Sequence, residues 1–166
     1  MRRYLFILLF FISTGVSAQI KNPEFKALLD SLYSDKVPLL SVEEFIKMNK
    51  EDVVYVLDAR EEEEYRVSHL KNARNIGYFW FDMRKIYDIP TEANVIVYCT
   101  IGSRSEKIAE KLIEAGYSRV FNLYGGILEW INEGQPVYKK DDIQTSEIHT
   151  YTKALEKWVD RGTKVN

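Results

Sequence analysis

The stretch VIVYCTIGSRSEKIAEKL, residues 95–112, decides the fold. Val95 to Tyr98 is an unbroken β-prone run, the pattern of a strand covered on both faces. From Ser105 to Ala115 the apolar positions recur at helical spacing, and Gly116 supplies the residue that closes a helix. Between strand and helix lies a short loop rich in glycine, serine and arginine, and it opens on Cys99, the only cysteine in the chain.

The same alternation continues on either side. Upstream, Leu39 and Leu40 are a short apolar stretch, and Ser41 with Glu44 forms a capping box for a helix that buries Val42, Phe45 and Ile46. Val53 to Leu57 is a second buried-type strand ending at Asp58, followed by a polar turn and a short helix over residues 61–66. Ala73 to Ile76 reads as a short strand, and Tyr78 to Ile86 as an ill-defined helical stretch rich in aromatics. Downstream, Val120 to Leu123 is another strand before Gly125 and Gly126, which open a helix with Trp130 in the core. Strands alternating with helices predict an α/β fold with a mostly parallel central sheet flanked by helices. Beyond it, Ile148, Tyr151, Leu155, Trp158 and Val159 recur at helical spacing and predict a C-terminal amphipathic helix over about 145–161, packed on its own domain or offering a homodimer surface.

At 166 residues and 46% hydrophobic composition, the chain is sized for one domain. Arg2 and Arg3, the apolar run Leu5 to Ile12 and the small residues up to Ala18 form a secretory leader, with cleavage expected between Ala18 and Gln19. The expected organisation is a leader (1–18), an N-terminal helical extension (19–36), the domain (37–138) and a C-terminal extension (139–166). Export to the periplasm or medium follows, with no membrane association after cleavage. Without Arg2 and Arg3 the formal charge moves from −2 to −4, which gives no basic footprint for nucleic acid. A lone cysteine has no partner within its own chain, so the thiol is either an inert buried side chain or a reactive one.

Position favours reactivity. In open parallel sheets ligands bind beyond the carboxyl ends of the strands, and Cys99 ends one. The helix that follows presents unpaired N–H groups and a positive dipole end, which favour thiolate and hold anions. Gly102 permits backbone angles that aim several amides at one point, and Arg104 adds a fixed positive charge.

Three blocks now resemble the signatures of rhodanese-like domains in order and distance: LDAREEEEYRVSHLKNARNI (57–76), VYCTIGSRS (97–105) and VFNLYGGILEWINEGQPV (120–137). The resemblance covers about 37–138 and implies a single compact domain with the catalytic cysteine opening a tight loop. It further implies a sulfurtransferase, in which Cys99 takes the outer sulfur of a donor such as thiosulfate or a persulfide. The sulfur then passes from a Cys99 persulfide to a thiol or cyanide-like acceptor. Carried over, Thr100, Ile101, Gly102, Ser103 and Arg104 form the substrate-binding loop, with Arg104 orienting an anionic donor. Ser105, Asp58 and Arg60 support it, Asp58 and Arg60 as an internal ion pair. No metal or cofactor is implied, and because a thiolate attacking sulfur needs no base, neither His69 nor His149 is required. His69 is read as structural, although Ser68 replaces the glycine usual before it, and Glu61 to Glu64 as a solvated first helical turn. Related phosphatases and arsenate reductases have one more residue in the loop; only four separate Cys99 from Arg104, which suits a single sulfur better than a phosphate. A binding or sensing module without turnover is the alternative.

Overall fold

The computed structural model describes residues 20–165, so the leader and its cleavage site lie outside the described residues. The elements are α1 (Pro23–Leu32), β1 (Leu39–Leu40), α2 (Val42–Glu51), β2 (Val54–Asp58), α3 (Glu62–Val67), β3 (Arg74–Asn75), β4 (Asn94–Tyr98), α4 (Ser103–Glu114), β5 (Arg119–Leu123), α5 (Gly126–Asn132), β6 (Val137–Lys139), β7 (Ile143–Thr145), β8 (Glu147–His149) and β9 (Thr163–Val165). Five strands form one parallel sheet in the order β1-β5-β4-β2-β3, with β4 at its centre and buried along its whole length. The α/β class and parallel sheet expected from the sequence are observed.

Side chains alternate across the sheet as strand geometry requires. Val56, Ile96, Tyr98 and Leu123 face a core completed by α1, α2, α5 and the C-terminal segment. Leu57, Val95, Val97 and Val120 face a second core with Ile108, Ala109 and Leu112 of α4. The capping box of α2 is present, with Ser41 Oγ accepting from Glu44 N and Glu44 accepting from Ser41 N at 2.9 Å.

Two expectations are corrected. Residues 78–86 contain only one 3₁₀ turn, Met83–Lys85; the amides of Tyr78 and Phe79 are instead taken by the Glu61 carboxylate, both at 3.1 Å. The C-terminal amphipathic helix does not form. In its place β6 and β7 pair antiparallel, β8 pairs with β9 in parallel, and only the 3₁₀ segment Lys153–Trp158 is helical. Apolar spacing alone cannot reveal that Glu147–His149 finds a partner in Thr163–Val165, and that pairing satisfies backbone groups a helix would have satisfied locally. Ile148, Trp158 and Val159 are nonetheless buried, and Trp158 stacks on Phe25 of α1 at 5.4 Å. The two segments flanking the domain therefore pack on each other as well as on the core. No helix among the described residues is long and apolar enough to cross a membrane.

Candidate active site

β4 carries the chain to the carboxyl edge of the sheet and stops at Tyr98, so Cys99 stands at the strand end with 1% of its surface exposed. The loop 99–102 is held by the turn before α5. Ile127 N donates to Cys99 O at 2.9 Å and Leu128 N to Thr100 O at 3.2 Å. This approach requires glycine at 126, because a Cβ there would lie 2.4 Å from Cys99 O. The Gly102 N–H donates to Cys99 Sγ at 3.1 Å, and Gly102 takes a left-handed conformation (φ +94°) that turns the chain into α4. Its carbonyl accepts from Glu106 N and from Asn122 Nδ2, both at 3.0 Å, and Ser105 Oγ lies 2.7 Å from Asn122 Oδ1. Ser105 thus works through Asn122 to pin the start of α4. Ile101 is buried in the core, and Ser103 opens α4 half-buried.

Arg104 does not stand free at the loop rim. Its guanidinium makes a two-point contact with Glu64, Nη1 to Oε2 at 2.6 Å and Nη2 to Oε1 at 2.7 Å. Nη2 also donates to Thr100 Oγ1 at 2.8 Å, and the Tyr151 ring covers the guanidinium at 4.4 Å. Burial opposes the charge of Arg104, but Glu64 outweighs it and holds the guanidinium firmly protonated. Burial likewise works against the Glu64 carboxylate, yet Arg104 brings its pKa below the usual range. Glu64 is only 3% exposed, which corrects the reading of Glu61 to Glu64 as a solvated turn. Glu64, the last of the run Glu61–Glu64, points inward because the helix lies along the loop, and nothing in a run of identical residues marks which one does so.

Asp58 ends β2 opposite Tyr98 in register. Asp58 and Arg60 are fully buried and joined at 2.6 Å, with Arg60 Nη2 also donating to Ser68 O at 2.6 Å. Tyr98 Oη donates to Asp58 Oδ2, and burial raises the phenol well above its usual pKa, keeping it a donor. This pair stiffens the strand end beneath Cys99 and presents no free charge. His69 Nδ1 lies 3.0 Å from Tyr65 O and its ring stacks on Tyr65, while His149 Nδ1 accepts from Tyr151 N at 3.1 Å. Among the described residues no cluster could hold a metal ion. Sequence reasoning missed Tyr33, Glu64, Asn122 and Tyr151; Tyr33 Oη donates to Ile101 O at 2.6 Å and accepts from Gly125 N at 3.1 Å.

A cysteine at the end of a central parallel strand, with a loop amide on its sulfur and a helix starting four residues on, defines an α/β protein built around a cysteine loop. The chain belongs to the rhodanese-like domain family, whose model matches residues 41–133. It is 30% identical over 129 residues to the tRNA uridine(34) hydroxylase of Aster yellows witches'-broom phytoplasma (strain AYWB), covering 72% of this chain and 40% of that protein. It is 34% identical over 87 residues to a sulfurtransferase of Allochromatium vinosum, covering 52% of this chain and 79% of that one. The crystal structure of thiosulfate sulfurtransferase from Pseudomonas aeruginosa shares the fold, with a TM-score of 0.60 at 23% identity, over 72% of this chain and 23% of that chain. The chain thus spans about two fifths of the tRNA hydroxylase it matches.

Proposed function

We propose that the protein is a sulfurtransferase working through a Cys99 persulfide. The observation that carries the reading is the Gly102 amide on Cys99 Sγ at 3.1 Å, inside a loop shared with a sulfur-transferring family. The Cys99 thiolate attacks the outer sulfur of R–S–SH. A bond from Sγ to that sulfur forms, the donor S–S bond breaks, and its electron pair leaves with R–S⁻. An acceptor thiolate then attacks the outer sulfur of the Cys99 persulfide and returns Cys99 to its starting state. No external oxidant or reductant enters, and no base is needed in the attack. Loop amides hold the anionic sulfur at each stage. The leader pattern at the start of the sequence supports activity in the periplasm or outside the cell, and the proposed acceptor is a small thiol.

The donor is one of low charge. Glu64 neutralises Arg104, Asp58 neutralises Arg60, and Thr100 and Ile101 carry no charge, so a thiosulfate dianion meets no free cation in the loop. Sulfur transfer to a thiol acceptor should run roughly tenfold faster from 2-hydroxyethyl persulfide than from thiosulfate at equal concentration and low salt, the order of one missing charge-assisted contact. Equal or faster turnover of thiosulfate would show that Arg104 leaves Glu64 to meet the donor. The near-complete burial of Cys99 favours the second reading, a binding module without turnover; absence of transfer from both donors would support it.

A further inference from the structure

The peptide joining Ile101 to Gly102 makes two contacts at once. Its carbonyl accepts from Tyr33 Oη at 2.6 Å, and its N–H donates to Cys99 Sγ at 3.1 Å. The described residues contain no cis peptide bond, and in a planar trans unit the C=O and N–H point in opposite directions. A group that holds the oxygen therefore aims the hydrogen at the sulfur. Tyr33 Oη is itself fixed by Gly125 N at 3.1 Å, at the turn whose following amides hold Cys99 O and Thr100 O. Burial pushes the Tyr33 phenol well above its usual pKa, so it remains a donor at any working pH. The fit leaves no slack: a Cβ at Gly102 would lie 2.1 Å from Tyr33 Oη.

Tyr33 caps α1 and lies outside the matched domain, residues 41–133. The helix reaches the loop on anchors of its own. Leu29 and Phe25 are buried, Tyr124 Oη donates to Asp30 at 3.1 Å, and Ser34 N donates to the buried Glu106 carboxylate at 2.7 Å. We propose that Tyr33 is a positioning residue for Cys99: its hydroxyl, supplied by the N-terminal extension, orients the Ile101–Gly102 peptide so that the Gly102 amide stabilises the anionic sulfur. The inference rests on the sulfur-transfer reading for its consequence, the persulfide, but the orientation of the amide can be tested without it.

Tyr33→Phe keeps the ring and removes only the hydroxyl. In the full chain, two rates are measured at one neutral pH: alkylation of Cys99 by iodoacetamide and persulfide loading from 2-hydroxyethyl persulfide. Tyr124→Phe, which removes the hydrogen bond tying Asp30 of α1 to the turn before α5 without touching the loop, is the control. Tyr33→Phe should slow both reactions roughly tenfold, the size of one hydrogen bond to a charged group, while Tyr124→Phe stays near the unaltered protein. A Tyr33 that merely packs over the loop predicts the opposite, an unchanged or faster alkylation in Tyr33→Phe, and that result would overturn the proposal. Equal slowing in Tyr124→Phe would also overturn it, by tracing the effect to docking of α1. Slowed alkylation in Tyr33→Phe with no loading of the unaltered protein would support the orientation and overturn the sulfur-transfer reading alone.

Discussion

Glu64 sets what Arg104 can do. The pair is nearly buried, with side-chain exposures of 5% and 11%, so each charge depends on the other. Glu64→Gln should cost about 2–3 kcal/mol, less than a wholly buried pair because Arg104 retains some solvent and the amide can still accept one hydrogen bond. The sign with pH follows from the depressed pKa of Glu64. Stability from the carboxylate is fully present above its unfolded value of roughly 4.3 and is lost as pH falls through the lower folded value. Urea titrations of the two proteins should thus differ by a constant amount from neutral pH down to about 5 and converge in stronger acid; a gap that persists there would remove the ion pair as its cause. At this scale the strand-end place of Cys99 and the Gly102 amide beside it were legible, because residue type and loop position mark them, whereas the partner of Arg104 was not. Glu64 and Tyr33 were not, since each reaches the loop only through the packing of a separate helix.

The tight contact between the Cys99 loop and α5 can be probed through two glycines. Gly126 and Gly116 both have positive φ, +60° and +97°, but a Cβ at 126 meets the backbone of Cys99 and Thr100, whereas at 116 it meets nothing within 4 Å. Alanine at 116 should cost about 1 kcal/mol for its conformation alone. Alanine at 126 should cost about 3 kcal/mol or more, because a backbone neighbour cannot swing aside, and should displace the loop that holds Cys99. Thermal melts of the two variants check the ranking, and equal losses would mean that the turn yields easily. The strands, the capped α2 and the α4 that follows the cysteine were legible because each announces itself within a dozen residues. The C-terminal segment was not: its apolar positions repeat at helical spacing, but Gly162 and the strand after it lie too far along the chain for that spacing to register β8 pairing with β9.

Across the molecule, the sheet supplies the cysteine and the flanking segments supply its walls. Tyr33 comes from before the matched domain and Tyr151 from after it, and the segments carrying them meet where Phe25 stacks on Trp158. The domain explains why a thiol sits at a strand end and is buried there; the extensions bring Tyr33 to the Ile101 carbonyl and lay the Tyr151 ring over Arg104. The overall α/β plan could be read from the sequence because strand and helix signals alternate along it. These contacts could not, because they exist only once the segments flanking the domain have closed on the loop. Persulfide chemistry at Cys99 is read out in the intact mass of the purified protein after brief exposure to 2-hydroxyethyl persulfide. The mass should rise by one sulfur atom, with no rise in Cys99→Ser and reversal by an added thiol; no gain, or a gain that survives in Cys99→Ser, would refute a Cys99 persulfide.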